Sequence, residues 1–498
     1  MSLAVIYSRA RLGLHAPLVT IEVHISAGIP QFAIAGLPET AVKESKHRVR
    51  SALLHSRFEF PAGRITVNLA PADLPKEGGR FDLPIALGIL AATQQISKKD
   101  LELYEIAGEL ALSGEIRRIQ GALPFALQTK QAQRMLIIPE HNALEANLSR
   151  CPIYPAQHLL DVSAHFNKSK PLTLYQNDAP HLIAQPMPDF SEVIGQYQAK
   201  RVLEIAASGG HNALMIGTPG AGKTMLAERL PSILPNMSEA EAIETIAIYS
   251  ISDQPINLSH WGKRPFRNPH HTASGIALVG GGSMPKPGEI SLAHNGVLFL
   301  DEFPEFNRKT IETLREPLES GKIVIARATK TIQFPARFQL ICAMNPCPCG
   351  YLGASNHACT CTSEQVQRYQ SKISGPMLDR IDLQLRVSSL PAQAFLKAND
   401  VTSESSAIIK SRVIAARNRA LARAEVANAQ LSSAQIKNFC QLDTRAEQLL
   451  EKALTQFNLS TRAYHKTLKI ARTIADLDAA ENINIEHVQE ALGYRGFK

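Results

Sequence analysis

Eight consecutive residues hold the most specific chemistry in the chain. Gly217, Thr218, Pro219, Gly220, Ala221, Gly222, Lys223 and Thr224 follow the apolar run "ALMI" and lead into the helix-like "MLAERL". The glycines let backbone N–H groups wrap phosphate oxygens, and a helix N-terminus adds its positive end. Lys223 would reach the β- and γ-phosphates of ATP, and Thr224 would hold Mg²⁺. Such a site needs a carboxylate on a neighbouring strand, and "GVLFLDEF" (296–303) offers one. Its apolar residues read as a buried parallel strand with acids at the C-terminal end. Asp301 would complete the Mg²⁺ shell, and Glu302 would orient and polarise the attacking water. "FQLICAMN" (338–345) reads as a third buried strand, whose terminal Asn345 could touch the γ-phosphate or that water.

A second cluster follows at once. Five of the seven cysteines fall within residues 342–361, four of them as two Cys-x-Cys pairs: Cys347, Cys349, Cys359 and Cys361. Four thiolates suit tetrahedral Zn²⁺, and the nine residues between the pairs let the chain fold back. His357 could replace one thiolate. A redox-active or merely reduced thiol cluster and an iron–sulfur cluster are the alternatives. A closed zinc site would be structural, fixing the loop after Asn345. Cys342, Cys151 and Cys440 read as buried packing residues.

These residues need elements to hold them. At 498 residues the chain exceeds a single core, and about three domains is the natural expectation. Residues 1–165 mix alternating strand-like runs, such as "LVTIEVHISAG" and "RITVNLAPA", with short helices. Residues 166–190, rich in proline and without period, read as a linker. Residues 191–392 follow strand–loop–helix logic, and residues 393–498 read as helical, with 3.6-residue spacing over 461–477. The fold class is α/β: an N-terminal α+β domain, a P-loop α/β domain and a C-terminal helical lid. The longest apolar runs fall short of the roughly 18–20 residues of a membrane span. With no secretory signal pattern, the expectation is a cytoplasmic protein with no membrane partner. The net charge of +8 is thinly spread. The densest basic run, "KSRVIAARNRALAR" (410–423), would set Arg412, Arg419 and Arg423 on one helix face, either solvated or against nucleic acid.

With these residues in hand, the chain resembles the magnesium-chelatase-like AAA+ ATPases of the ComM/YifB family over nearly its whole length. "GLPETAVKESKHRVRSAL" and "RITVNLAPADLPKEGGRFDLPIALGIL" are similar to that family's first domain. "AASGGHNALMIGTPGAGKTMLA", "RPFRNPHHTASGIALVGGGSMPKPGEISLAHNGVLFLDEFPEF", "SGPMLDRIDL" and "NPCPCG…CTC" are similar to its motor. The resemblance implies a homo-hexameric ring that drives DNA branch migration during natural transformation, acting on single-stranded or branched DNA alongside recombination proteins. It gives Asn345 the sensor-1 role, Arg380 that of the arginine finger and Arg462 that of sensor 2. It also points "GIALVGGG" (275–282), expected to be flexible, and the hairpin "KIVIARATKTIQF" (322–334) into the pore, with Arg327 and Lys330 tracking phosphates.

The family's first domain is similar in fold to the Lon protease domain. Arg80 stands where Lon carries its serine, and Leu123 where it carries its lysine. Without nucleophile and base the domain should not cut peptide bonds. It would brace the ring or guide a substrate, with Arg64, Lys76 and Arg80 as contacts. Two other functions compete with the DNA motor. One is chelatase-type remodelling of a metalloenzyme, which would need an integrin-like partner domain absent from this chain. The other is a protein-remodelling or regulatory role.

Overall fold

The computed structural model describes residues 2–176, 187–252, 254, 261–282, 285–327, 330–354, 357–389, 403–457 and 460–495. The side chains of Arg327 and Lys330 and the tip between them lie outside the described residues, as does the stretch 177–186 of the expected linker. The chain divides into two compact units, residues 1–182 with 243–259 and residues 183–242 with 260–498.

The first unit is built on a seven-stranded mixed sheet. Its strands run Gln31–Ala35, Arg64–Ala70, Leu18–Ser26, Ser2–Arg9, Tyr104–Ile106, Met135–Pro139 and Ile153–Ala156 across the sheet. Residues alternate between buried and partly exposed along Leu18–Ser26 and Arg64–Ala70, as a sheet with one covered face requires. Against that face lies Asp82–Ala92, a helix apolar all round and buried at every residue. Arg80 and Lys76 are buried too. The Lys76 ammonium donates to the Pro71 carbonyl, and Arg80 Nη2 donates to Gln120 O at 2.8 Å. Neither can serve as a substrate contact, because burial places both guanidinium and ammonium on backbone carbonyls. Arg64 is exposed, and Leu123 is buried.

The second unit holds a five-stranded parallel sheet, ordered Phe266–Arg267, Val297–Leu300, Gln339–Met344, Ala213–Gly217, Leu383–Val387. Val297–Leu300 and Gln339–Met344 are buried at every residue, which is why they read as unbroken apolar runs. The described C-terminal part is helical: Ser406–Ala424, Ser433–Phe439, Thr444–Gln456, Thr461–Leu477 and Ile485–Gly493. Each of the last three starts on a side-chain cap, Asp443, Ser460 and Asn484 in turn. Val413, Ile470 and Ile474 from these helices share one apolar core with Leu203, Met215 and Ile341 of the sheet region. No helix among the described residues is long and apolar enough to cross a membrane.

Candidate nucleotide and metal sites

Parallel strands deliver their C-terminal ends to one edge of a sheet, and the chemistry collects there. Ala213–Gly217 lies directly beside Gln339–Met344, which in turn pairs with Val297–Leu300. The phosphate loop, Asn345 and Asp301–Glu302 are therefore neighbours. Gly217 has to be glycine because a Cβ would stand 2.3 Å from Val387 O, and Gly220 and Gly222 take φ of +75° and +85°.

Lys223 Nζ donates to Gly217 O at 2.8 Å, Thr218 O at 2.9 Å and Asn345 Oδ1 at 3.2 Å. Burial lowers its pKa. The ammonium is thus stored on three neutral acceptors that an anionic phosphate outcompetes. Thr224 Oγ1 donates to Asp301 Oδ2 at 2.6 Å, pairing the two groups that would share a Mg²⁺ shell. Thr218 Oγ1 is buried with no partner among the described residues, an unspent polar atom within the loop. The donor set fits a magnesium nucleotide: a hard oxygen pair, a lysine and a glycine-lined concavity.

Glu302 takes φ of +51°, a backbone state that non-glycine residues seldom adopt and that gathers at functional sites. His271 Nδ1 lies 2.9 Å from its Oε2, and the His270 and His271 rings are 4.1 Å apart. Sequence reasoning missed this histidine; the signal was the His-His pair just ahead of the glycine-rich insert. It also missed Gln196, whose Nε2 donates to Ala221 O of the phosphate loop at 3.2 Å.

Arg380 and Arg462 stand elsewhere. The Arg380 carbonyl accepts from Asn212 Nδ2 at 3.0 Å, at the N-terminal start of the Ala213–Gly217 strand. Five strand residues, roughly 16 Å, separate that edge from the phosphate loop, farther than one arginine side chain spans. Arg380 Nη2 and Arg462 Nη2 both donate to Glu319 Oε1. Burial alone would raise the Glu319 pKa, but these two hydrogen bonds and charges hold it below its ordinary value. A second tie joins the same elements: Lys466 Nζ is 2.8 Å from Asp382 Oδ1, and His211 Nδ1 is 3.4 Å from Asp382 Oδ2.

The four sulfurs of Cys347, Cys349, Cys359 and Cys361 lie within 4.8 Å of one another. Three separations are 3.4, 3.6 and 3.7 Å, close to the ~3.8 Å edge of a tetrahedron with Zn–S bonds of about 2.3 Å. Leu352 N–H donates to Cys347 Sγ at 3.3 Å and Cys349 N–H to Cys361 Sγ at 3.4 Å, as bonds that orient thiolate ligands do. The N–H groups of Tyr351 and Thr360 pull the Cys349 pKa down, while the neighbouring thiols push Cys359 and Cys361 up, so that one thiolate forms most readily among the four. The donor set fits zinc. His357 is not part of it: its ring packs on Tyr351 at 4.9 Å, because the four thiols already close the tetrahedron. The cluster abuts the phosphate loop. A Cβ on Gly350, between the two cysteine pairs, would stand 2.7 Å from Pro219. Cys151, Cys342 and Cys440 are buried in apolar surroundings, as expected.

The insert 275–282 is built from regular elements rather than open loop. Ser274 caps a short helix, Gly275–Val279, and Gly280–Gly281 then pairs with Lys286–Pro287. The expected hairpin forms from Lys322–Arg327 and Lys330–Pro335. The two adjoin: a Cβ on Gly280 would lie 3.0 Å from Ile325 Cδ1. The basic run 410–423 is committed internally. Arg412 pairs with Glu204 and Glu404, Arg423 with Asp476, and Arg419 donates to the Asp476 carbonyl.

Sheet order, phosphate loop and paired carboxylate define an AAA-like P-loop ATPase class. Family models for magnesium chelatase subunit ChlI match in three parts: "Subunit ChlI of Mg-chelatase" over residues 21–142, "Magnesium chelatase, subunit ChlI" over 189–395, and its C-terminal model over 403–495. The chain is 52% identical over 501 residues to "Competence protein ComM" of Haemophilus influenzae, covering 99% of this chain and 98% of that one. It is 48% identical to "Uncharacterized protein YifB" of Escherichia coli, covering 99% of this chain and 97% of that one. The "Magnesium-chelatase 38 kDa subunit" of Cereibacter sphaeroides is 26% identical over 184 residues, 32% of this chain and 53% of its own. The chain belongs to the ComM/YifB family of magnesium-chelatase ChlI-like AAA+ ATPases.

Proposed function

We propose that this protein is an ATP-driven DNA motor, working as a homo-hexameric ring that moves branch points in recombination intermediates during uptake of DNA. What supports the reading is full-length similarity to a competence protein, together with two arginines stationed out of reach of their own phosphate loop. Lys223 and the loop amides would grip the β- and γ-phosphates, while Thr224 and Asp301 would hold Mg²⁺. The ion would supply positive charge against the phosphates. Glu302 would draw a proton from the attacking water, and Asn345 would orient that water. Arg380 and Arg462 of one copy would neutralise transition-state charge at the site of the next, the physical reason for a ring.

Ile276 is 62% exposed and Val324 44%, on the adjoining insert and hairpin, where they would face a threaded strand. The first unit, with Arg80 and Leu123 in place of nucleophile and base, would act without proteolysis in its Lon-like fold. The four cysteines would carry a structural zinc.

Chelatase-subunit family models span most of the chain and favour one competitor, remodelling of a protein partner. The match to the Cereibacter chelatase subunit itself, however, covers only 32% of the chain at 26% identity, against 99% at 52% for the competence protein. ATP turnover separates the two. Stimulation by DNA and not by unfolded protein supports the motor; the reverse pattern refutes it.

A further inference from the structure

Most arginines of the first unit are spent internally. Arg9 and Arg134 hold Glu105, and Arg48 holds Asp82. The outer side of the turn and helix over residues 40–57, Arg48 apart, is an exception. Val42, Ser45, Val49, Ala52 and Leu53 face inward and are buried. Their helical spacing sends Lys43, Lys46 and Arg50 to the opposite, exposed side, and Arg57, two residues past the helix end, is exposed as well. Arg64 is exposed at the start of its strand. None of these five cations has a side-chain hydrogen bond or ion pair with another described residue, whereas the basic run 410–423 is fully engaged.

Two aromatic rings complete the surface. Arg50 lies over the Phe60 ring at 5.3 Å, and Phe60 stands 6.1 Å from Phe32. Both rings are partly exposed. Phe32 sits on Gln31–Ala35, the outermost strand of the sheet, paired in register with Ile65 beside Arg64. Glu39 precedes the Thr40–Lys43 turn and Glu44 the Ser45–His55 helix, each at an N-terminal end that suits the helix dipole, so that Glu44 is the one acid between Lys43 and Lys46. Unneutralised cations beside partly exposed rings are what a nucleic-acid strand needs: phosphates meet the charges, and unstacked bases meet the aromatic edges and faces left open.

We propose that the face bearing Lys43, Lys46, Arg50, Arg57, Arg64 and Phe60 is a second, nucleotide-independent binding surface for single-stranded DNA. The inference rests on the DNA reading and gives the first unit a part in it: holding a displaced strand while the motor works.

The test is anisotropy of a labelled oligothymidine with the full chain, without nucleotide, over a range of salt. The variant carries Lys43→Ala, Lys46→Ala, Arg50→Ala and Arg57→Ala; a control carries Lys437→Ala and Lys452→Ala. At low salt the first should bind at least tenfold more weakly. Its salt slope should fall by about 3, some 0.7 for each phosphate that the four alanines leave unneutralised. Phe60→Ala should weaken single-strand binding several-fold and duplex binding less. If the quadruple variant melts early, Lys46→Ala with Arg57→Ala carries the same test. Unchanged affinity and slope, no DNA binding by the wild type, or equal capture of phosphatidylserine vesicles regardless of Phe60 would overturn the proposal. Binding and branch migration are read separately: a migrating enzyme with an indifferent variant sinks this surface alone, and a binding surface on an enzyme that moves no junction sinks the motor alone.

Discussion

Arg380 and Arg462 donate to the same carboxylate oxygen, Glu319 Oε1. They come from different elements, and the Asp382–Lys466 pair holds those elements together a few residues away. Two guanidiniums are therefore kept side by side at the sheet edge opposite the phosphate loop. Arg380 Nε is buried with no partner among the described residues.

The first prediction concerns action between copies. Arg380→Ala should lower ATP turnover by about 10³-fold or more, and Arg462→Ala should lower it too. Mixing Arg380→Ala with Lys223→Ala protein should restore turnover well above either alone, because some interfaces then join an intact loop to an intact arginine. A mixture no more active than its parts would rule out sharing of sites.

His271 offers a second. It orients Glu302 from 2.9 Å, so His271→Ala should lower kcat roughly tenfold, the scale for losing an orienting partner. KM for ATP should stay within about twofold, since the ionic contact of His271 is with Glu302. Steady-state kinetics over a range of ATP would show instead a KM effect if the histidine served binding.

The cysteine cluster makes a third. Purified protein should carry about one zinc per chain, and chelation should lower Tm. Because Gly350 packs on Pro219, metal loss should also raise KM for ATP. Metal analysis finding neither zinc nor iron in reduced protein would dismiss the site.

The fourth is a pH dependence. Burial would raise Asp382, but the Lys466 charge and the His211 hydrogen bond hold it well below the usual carboxylate range. A depressed folded pKa stabilises above the unfolded value of about 3.9 and is lost as pH falls toward the folded one. Asp382→Asn leaves Lys466 buried and unpaired, costing about 3 kcal/mol at pH 7. In urea unfolding, the gap to wild type should narrow below pH 4; a gap constant with pH would contradict the linkage.

The nucleotide site was legible because its parts are local. A buried parallel strand is an apolar run, and the chemistry follows at its end, so Lys223, Asp301 and Asn345 converge from three such runs. What escaped depends on partners far away in sequence. Nothing in "REPLES" marks Glu319 as the meeting point of Arg380 and Arg462. Likewise Arg412 and Arg423 looked free only because Glu204 and Asp476 lie in other helices. The glycines of 275–282 suggested mobility, yet Ser274 supplies a helix cap and Gly280 fits against Ile325. Lys76 and Arg80 looked available because their type is usually exposed; carbonyls of the folded loop hold them inside.

ATP-driven movement of DNA can be watched directly. The direct measurement follows a labelled three- or four-stranded junction with homologous arms, incubated with the protein and ATP, with Lys223→Ala as control. Resolution that requires ATP and vanishes in the variant is the predicted result. An intact junction, despite ATP turnover in the presence of DNA, would contradict the motor.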